Sequence, residues 1–484
     1  MEQRTQKMSN FRWTIVTLLF FATAINYLDR QVLSLTWKDF IAPEFHWTNT
    51  HYGTITSLFS LFYAVGMLFA GRIVDKLDTK KGFLWAIGIW SLGAVLHAFC
   101  GIATSGIIAG KWLVGFAGAK EAIASVNNIS MVLNVSVTLF IFARLVLAIG
   151  ESGNFPASIK SVAEYFPKKD RAFATSIFNA GSTVGALAAP VVIPVIAEKW
   201  GWEMSFIIIG ALGFIWMGFW AFFYKKPEVH PKVNELELDY IHLDHADEAA
   251  VNPNANTENE KKLSFKQCFK FKQTWAFAFG KFMTDGVWWF YLFWTPAYLS
   301  SVYGLKSSDP RSQLAIFVLY AITLLSIIGG WLPTYFVDKK GMHPYAGRMR
   351  AMLIFAFFPL LALFAQPLGH ISYWLPVIII GIAGAAHQSW SANIFSTVSD
   401  MFPKSAVATV TGIGGMAGGI GSMFINKASG ALFDFAGQTQ MSFLIFKGEE
   451  AGYFIVFSFC AVAYLIGWVV MKALVPKYSP ITDL

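Results

Sequence analysis

Apolar runs of roughly twenty residues, broken by short polar stretches, recur along the whole chain. Each is long enough to cross a hydrocarbon layer of about 30 Å as a helix. The pattern predicts twelve such helices, over 13–35, 52–72, 83–103, 131–159, 172–197, 204–224, 275–302, 313–337, 351–367, 371–398, 405–430 and 451–473. The expected fold is an all-α membrane protein. It divides into a six-helix bundle over 1–224 with a long loop between its third and fourth helices, a connector over 225–274, and a second six-helix bundle over 275–484. Within the connector, Asn252 to Lys262 reads as a flexible polar stretch, and Leu263 to Lys272 as a basic amphipathic segment at the interface.

An internal repeat supports two halves. Val162-Ala-Glu-Tyr-Phe-Pro-Lys168 returns 236 positions later as Val398-Ser-Asp-Met-Phe-Pro-Lys404, and Ala172, Thr175 and Gly185 meet Ala408, Thr411 and Gly421 at the same offset. Gly71 with Lys80-Lys81-Gly82 matches Gly330 with Lys339-Lys340-Gly341 at an offset of 259. The offsets differ by 23, so the first half carries an insertion between Gly82 and Val162. It is placed around Ala117 to Ser136, where it is expected to cover the outer mouth. Repeated halves are the architecture from which alternating access is built.

Charge then orients the chain. The 72–81 loop holds Arg72, Lys76, Lys80 and Lys81, and 160–171 holds Lys160, Lys168, Lys169 and Arg171, whereas 36–51 and 104–130 are sparse in basic residues. This bias predicts a multi-pass plasma (bacterial inner) membrane protein with both termini and the connector in the cytoplasm. Composition agrees: 55% hydrophobic against 14% charged residues, with 46 Phe and 18 Trp in 484. The net charge of +8 is the expected cytoplasmic excess of Lys and Arg, with attraction to anionic lipid and no nucleic-acid partner. Arg4, Lys7 and Arg12 precede the first apolar run, which continues into Asn26, Asp29 and Arg30 without a cleavage pattern and so reads as a permanent helix. Cys100, Cys268 and Cys460 lie in or beside separate apolar segments, unsuited to a disulfide framework, and nine histidines form no metal motif. No metal or cofactor is expected. The glycines from Gly412 to Gly421 lack the strand–turn–helix setting of a dinucleotide site and fit close helix approach instead.

The chemistry lies in charges at membrane depth: Asp29 and Arg30 in the first helix, Arg144 and Glu151 in the fourth. Each costs roughly 2.5–3.5 kcal/mol on insertion scales, so it is expected to line a polar cavity and act on something. Arg144 and Glu151 are nearly two turns apart, with Asn154 another turn on along much the same face, and Asn26, Tyr27 and Arg30 form a patch at i, i+1 and i+4. The arginine forks suit a planar carboxylate. Asp29 and Glu151 either neutralise those arginines in the empty protein or take protons; purely structural pairing of Arg144 with Glu151, or of Asp29 with Arg30, is the plain alternative.

Helix seven carries Lys281, Asp285, Trp288, Trp289, Tyr291 and Trp294, whose rings suit the C–H face of a sugar or a membrane interface. Helix ten offers His387, Gln388, Ser391 and Asn393, for polyhydroxylated ligand or for helix–helix bonding. Asp75, at the helix–loop boundary with Arg72 and Lys81, reads as part of a conformational latch on the cytoplasmic face. A membrane enzyme needs a compact nucleophile–base or metal arrangement, and none is recognisable. A membrane sensor remains an alternative, although no signalling module is evident.

On these motifs the chain resembles the major facilitator superfamily and, within it, the anion:cation symporter family. Asn26-Tyr-Leu-Asp-Arg30, Gly71-Arg-Ile-Val-Asp75 with Lys80-Lys81-Gly82, and Arg144 through Glu151-Ser-Gly-Asn-Phe-Pro156 carry the family likeness. Lys281 through Pro296 and His387-Gln-Ser-Trp-Ser-Ala-Asn393 resemble the hexuronate transporter branch. The resemblance implies proton-coupled uptake of galacturonate or glucuronate; a monomer is expected, and the sequence leaves sodium as the second candidate for coupling. It also implies substrate contacts from Tyr27, Arg30, Tyr63 and Arg144, and proton coupling through Asp29 and Glu151. A hexonate, hexarate or aromatic carboxylate is the alternative cargo. The long insertion, Gly286 where the pattern has proline, and Arg72 at a usually apolar position are the departures.

Overall fold

The structure is a computed structural model that describes residues 7–243 and 265–481; the stretch from Asn252 to Lys262 and the side chain of Asp75 lie outside the described residues. Ten helical segments are long and apolar enough to cross a membrane. Two more, Lys272–Tyr303 and Lys404–Thr439, are also long enough to cross, which brings the described spans to twelve.

The first half comprises α1 (Phe11–Thr36), α2 (Asn49–Leu77), α3 (Thr79–Ala109), α4 (Gly115–Ala124), α5 (Ile129–Glu151), α6 (Asn154–Tyr165), α7 (Lys168–Trp200) and α8 (Trp202–Phe223). The fourth span, expected as one helix over 131–159, is two: α5 stops at Glu151, and Ser152 and Gly153 form a turn before α6. Helix α1 runs on through a wide turn at Trp37–Ile41 into Ala42–Phe45, ending on His46 in the left-handed region. The insertion folds as α4, which buries Ala119, Ala122 and Ile123 and packs on α3 and on the Ala42–Phe45 turn of its own half. Both contacts are made within the first half.

The second half follows α9 (Glu235–Ile241) of the connector and comprises α10 (Lys272–Tyr303), α11 (Pro310–Thr323), α12 (Ile328–Lys340), α13 (Pro344–Phe357), α14 (Ala365–Gly369), α15 (Trp374–Met401), α16 (Lys404–Thr439) and α17 (Glu449–Leu474). A two-residue hairpin, β1 (Ser442–Phe443) against β2 (Phe446–Lys447), joins the last two helices. Short 3₁₀ stretches, Leu324–Ile327 and Phe358–Phe364, interrupt the eighth and ninth spans. Pro190, Pro194, Pro296 and Pro333 sit inside helices, which neighbouring segments tolerate in a membrane bundle.

Small residues bring the helices together. A methyl group on Gly150 of α5 would lie 2.3 Å from the Trp90 nitrogen of α3, and one on Gly93 would lie 2.4 Å from the Leu147 nitrogen, so these two backbones touch. In the second half, a methyl on Gly421 of α16 would meet the Phe282 carbonyl of α10 at 2.0 Å, and one on Gly286 would meet the Gly421 carbonyl at 3.0 Å. Absence of a side chain at Gly286 thus fits the crossing of α10 over α16. At the basic end, Glu237 of α9 accepts from the Phe11 and Arg12 amides (both 3.0 Å) and from Arg12 Nη1 (3.1 Å), which caps α1 and docks the connector on the first half.

Candidate functional site

The halves meet along α2 and α16, α7 and α11, and α1 and α10. Their mutual hydrogen bonds gather at the end opposite the basic loops. There Asp434 of α16 accepts from the Asn49 amide (3.0 Å), Asn49 Nδ2 (3.0 Å) and the Thr50 amide (2.7 Å), so a carboxylate of one half satisfies the N-terminus of a helix in the other. Asp39 accepts from Ser300 Oγ (2.6 Å) and the Ser307 amide (2.7 Å), and Lys427 Nζ donates to Thr54 Oγ1 (2.6 Å). Beneath this lock lies an aromatic plug. Trp37 stacks on Tyr52 at 4.1 Å, Tyr52 Oη donates to the Phe293 carbonyl (2.8 Å), and Trp294 Nε1 donates to Asn426 Oδ1 (2.9 Å). Deeper still, Ser60 and Ser422 share a hydrogen bond of 2.9 Å.

Below the plug sit the buried charges. Arg30, Asp29, Arg144 and Glu151 are each at most 4% exposed, so none of them snorkels to an interface. Arg30 donates from Nε (3.0 Å) and Nη2 (2.8 Å) to the same oxygen of Glu151, Oε2. The sequence leaves Arg144–Glu151 and Asp29–Arg30 as structural pairs; the structure instead joins the first and fourth spans through Arg30 and Glu151. Rings enclose the guanidinium: its carbon lies 5.2 Å from the Tyr27 centroid, 4.8 Å from Tyr63, 4.8 Å from Trp289 and 6.0 Å from Phe59. Cation–π attraction holds the fork in place. Because Trp289 belongs to α10, the second half closes a cage begun by the first. Arg144 lies 5.0 Å from the same Phe59 ring.

Several polar atoms in this pocket have no hydrogen-bond partner among the described residues: Arg144 Nε and Nη1, Glu151 Oε1, both oxygens of Asp29, and the side-chain amides of Asn26 and Asn154. Buried donors and acceptors left unmet are costly, and their concentration in one place marks a site built to bind something polar. Free guanidinium nitrogens beside free carboxylate and amide atoms suit an anion that also carries hydroxyls.

The second-half candidates fall into two sets. Trp288 stacks on His387 at 5.4 Å, and His387 Nδ1 shares a 2.8 Å hydrogen bond with Tyr464 Oη. Gln388 and Ser391 are half-buried on α15. Asn393, by contrast, donates to the Gly329 and Ser389 carbonyls (2.9 and 2.8 Å), which is helix–helix bonding, and Tyr291 is buried beside Cys460. Arg72 and Lys81 are exposed at the basic end, where Lys160 Nζ donates to the Val74 carbonyl (3.3 Å) and Lys80 Nζ to the Ala221 carbonyl (2.7 Å). Phe59, the ring shared by both arginines, escaped sequence reasoning because a phenylalanine in an apolar helix carries no signal; Asp39 and Asp434 read as ordinary loop-proximal charges.

Two helical halves that close around buried, incompletely paired charges define a membrane transporter, not an enzyme. The Major Facilitator Superfamily model matches residues 19–426, and the chain belongs to that family. The chain is 28% identical over 436 residues to the hexuronate transporter of Escherichia coli (strain K12), covering 89% of this chain and 90% of that one. It is 26% identical over 330 residues to the galacturonate transporter of Dickeya chrysanthemi, covering 68% and 84%. Its fold superposes with a TM-score of 0.67 on a bacterial homolog of the human lysosomal transporter Spinster in an inward-facing, unoccupied conformation, at 18% identity over 97% of this chain and 99% of that one.

Proposed function

We propose that the protein carries hexuronates such as galacturonate and glucuronate into the cell with protons. The observation that carries this reading is the Arg30–Glu151 pair inside its aromatic cage, with the Arg144 nitrogens open beside it. The relatives' printed substrates agree with an organic acid of this kind.

In this reading the substrate carboxylate takes the open nitrogens of Arg144 and competes with Glu151 for Arg30, while Trp289 and Tyr63 cover the sugar's C–H face and Tyr27 and Asn154 meet hydroxyls. A proton on Glu151 frees Arg30 for the substrate. Asp29 lies within electrostatic reach of both Glu151 and Arg144, so a proton on either carboxyl changes the charge the other faces. The two carboxyls therefore balance the charge of the loaded site, which lets the halves rock without carrying an unmatched ion.

The positive-inside rule puts the basic loops and both termini in the cytoplasm. The lock at Asp434 and Asp39 is then the outer gate, closed here, and Arg72 and Lys81 belong to the face that closes in the opposite state. Radiolabelled galacturonate uptake into proteoliposomes, with pH and sodium gradients imposed separately, tests the proposal. Accumulation driven by inward-directed protons is expected; accumulation that follows sodium alone removes the proton assignment, and absence of uptake removes the substrate.

A further inference from the structure

Helix α10 carries a second buried ion pair that the cycle above does not use. Lys281 Nζ lies 2.7 Å from Asp285 Oδ2, and the lysine sits over the Phe395 ring of α15 at 4.3 Å. Such a pair adds little to a helix, and in this order, with the lysine before the acid, it works against the helix dipole. Two charges at membrane depth therefore call for a use other than stability.

Their position supplies one. Asp285 precedes Trp288 and Trp289 by three and four residues, so it lies on their face, about one turn or roughly 6 Å toward the basic end. Trp289 covers Arg30, and Trp288 stacks on His387. On the neighbouring α15, Ser391 stands one turn from His387 and one turn from Phe395, level with Asp285. The lysine side chain is 5% exposed and that of the acid 14%, so the acid is the more accessible member of the pair. Asp285 is also within electrostatic reach of Tyr27 across the gap between the halves. Gly418 of α16 backs it closely: a methyl there would lie 2.3 Å from Oδ2.

A six-carbon acid spans about 6 Å from bond lengths near 1.5 Å. With its carboxylate on Arg30 and Arg144, its far end reaches the level of Asp285. We infer that the Lys281–Asp285 pair selects the charge class of the substrate, accepting an acid whose far end bears hydroxyls and refusing one whose far end bears a second carboxylate. Hydroxyls donate to Asp285 and Ser391. A second carboxylate meets a like charge, while the lysine that would attract it is already engaged. This inference rests on the sugar-acid reading of the site and adds the discrimination between monocarboxylic and dicarboxylic acids.

Galactonate and galactarate are open-chain acids that differ only at the sixth carbon, and they make the test. Thermal stabilisation of the purified full-length protein, and competition with labelled galacturonate uptake, are measured for each acid. In the wild type, galactonate is expected to bind at least about tenfold more tightly than galactarate. Asp285→Asn releases the lysine and is expected to bring galactarate to parity, and Lys281→Gln combined with Asp285→Asn is expected to abolish that gain. Equal binding of both acids by the wild type overturns the inference without recourse to any variant. Galacturonate uptake that persists while Asp285→Asn stays indifferent to galactarate sinks the inference alone. No uptake and no stabilisation by any of the three acids sinks the sugar-acid reading and the inference with it.

Discussion

Replacing Asp434 with alanine is expected to shift the resting protein toward an opening on the side away from the basic loops. Its carboxylate accepts three hydrogen bonds, from the Asn49 amide, Asn49 Nδ2 and the Thr50 amide, at 3.0, 3.0 and 2.7 Å. Hydrogen bonds to a charged group contribute about 1.5–3 kcal/mol each in favourable settings. Asp434 is only half-buried, however, and in an opened state water replaces these donors, so a net loss near 2 kcal/mol is the appropriate figure. At 1.4 kcal/mol per decade, the ratio of closed to open molecules falls about 30-fold. Spin labels at Asn127 in the first half and Leu444 in the second, both exposed, report the separation, and the native cysteines are buried and interfere little. A longer-distance population is expected to grow in Asp434→Ala. An unchanged distance distribution in a folded variant would refute the claim that this carboxylate holds the two halves together.

Four further outcomes are expected. Glu151→Gln retains exchange of substrate across proteoliposomes but loses accumulation driven by a pH gradient, because the neutral amide cannot alternate between charge states; retained concentrative uptake contradicts it. Arg144→Lys replaces a two-nitrogen fork by a point charge and weakens substrate affinity by about one to two orders of magnitude, read as KM in uptake. Trp289→Ala opens the cage around Arg30 and raises KM about tenfold through lost ring contact, with the protein's thermal stability as the control. Gly150→Ala forces a methyl group into the Trp90 backbone at 2.3 Å and costs about 1–3 kcal/mol, visible as a lower Tm in detergent.

The spans could be read from the chain because a lipid-crossing helix is announced by its length and apolarity alone. The buried charges were legible for the complementary reason, since ionisable groups are rare in such helices. What the sequence left open was who meets whom. Spacing along one helix makes Glu151 a neighbour of Arg144, yet close packing of α3 on α5 and the placement of α1 deliver it to Arg30. Asn393 illustrates the opposite limit: a polar side chain in an apolar run reads equally as ligand-binding or as helix–helix bonding, and only the structure shows its amide donating to two carbonyls. The stop at Glu151 escaped as well, because Ser152 and Gly153 are common inside membrane helices and only the three-dimensional path shows the turn.

The backbone contact between Gly421 and Phe282 gives the second half an unusual mechanical property. Helix α16 holds Asp434 near one extremity and presses Gly418 against Asp285 about 24 Å away by helix rise. With no side chain at the crossing, the two helices meet backbone to backbone at that glycine. The latch and the surface behind the ion pair therefore belong to one rod, and on the inference drawn above the gate and the charge filter share a single moving part.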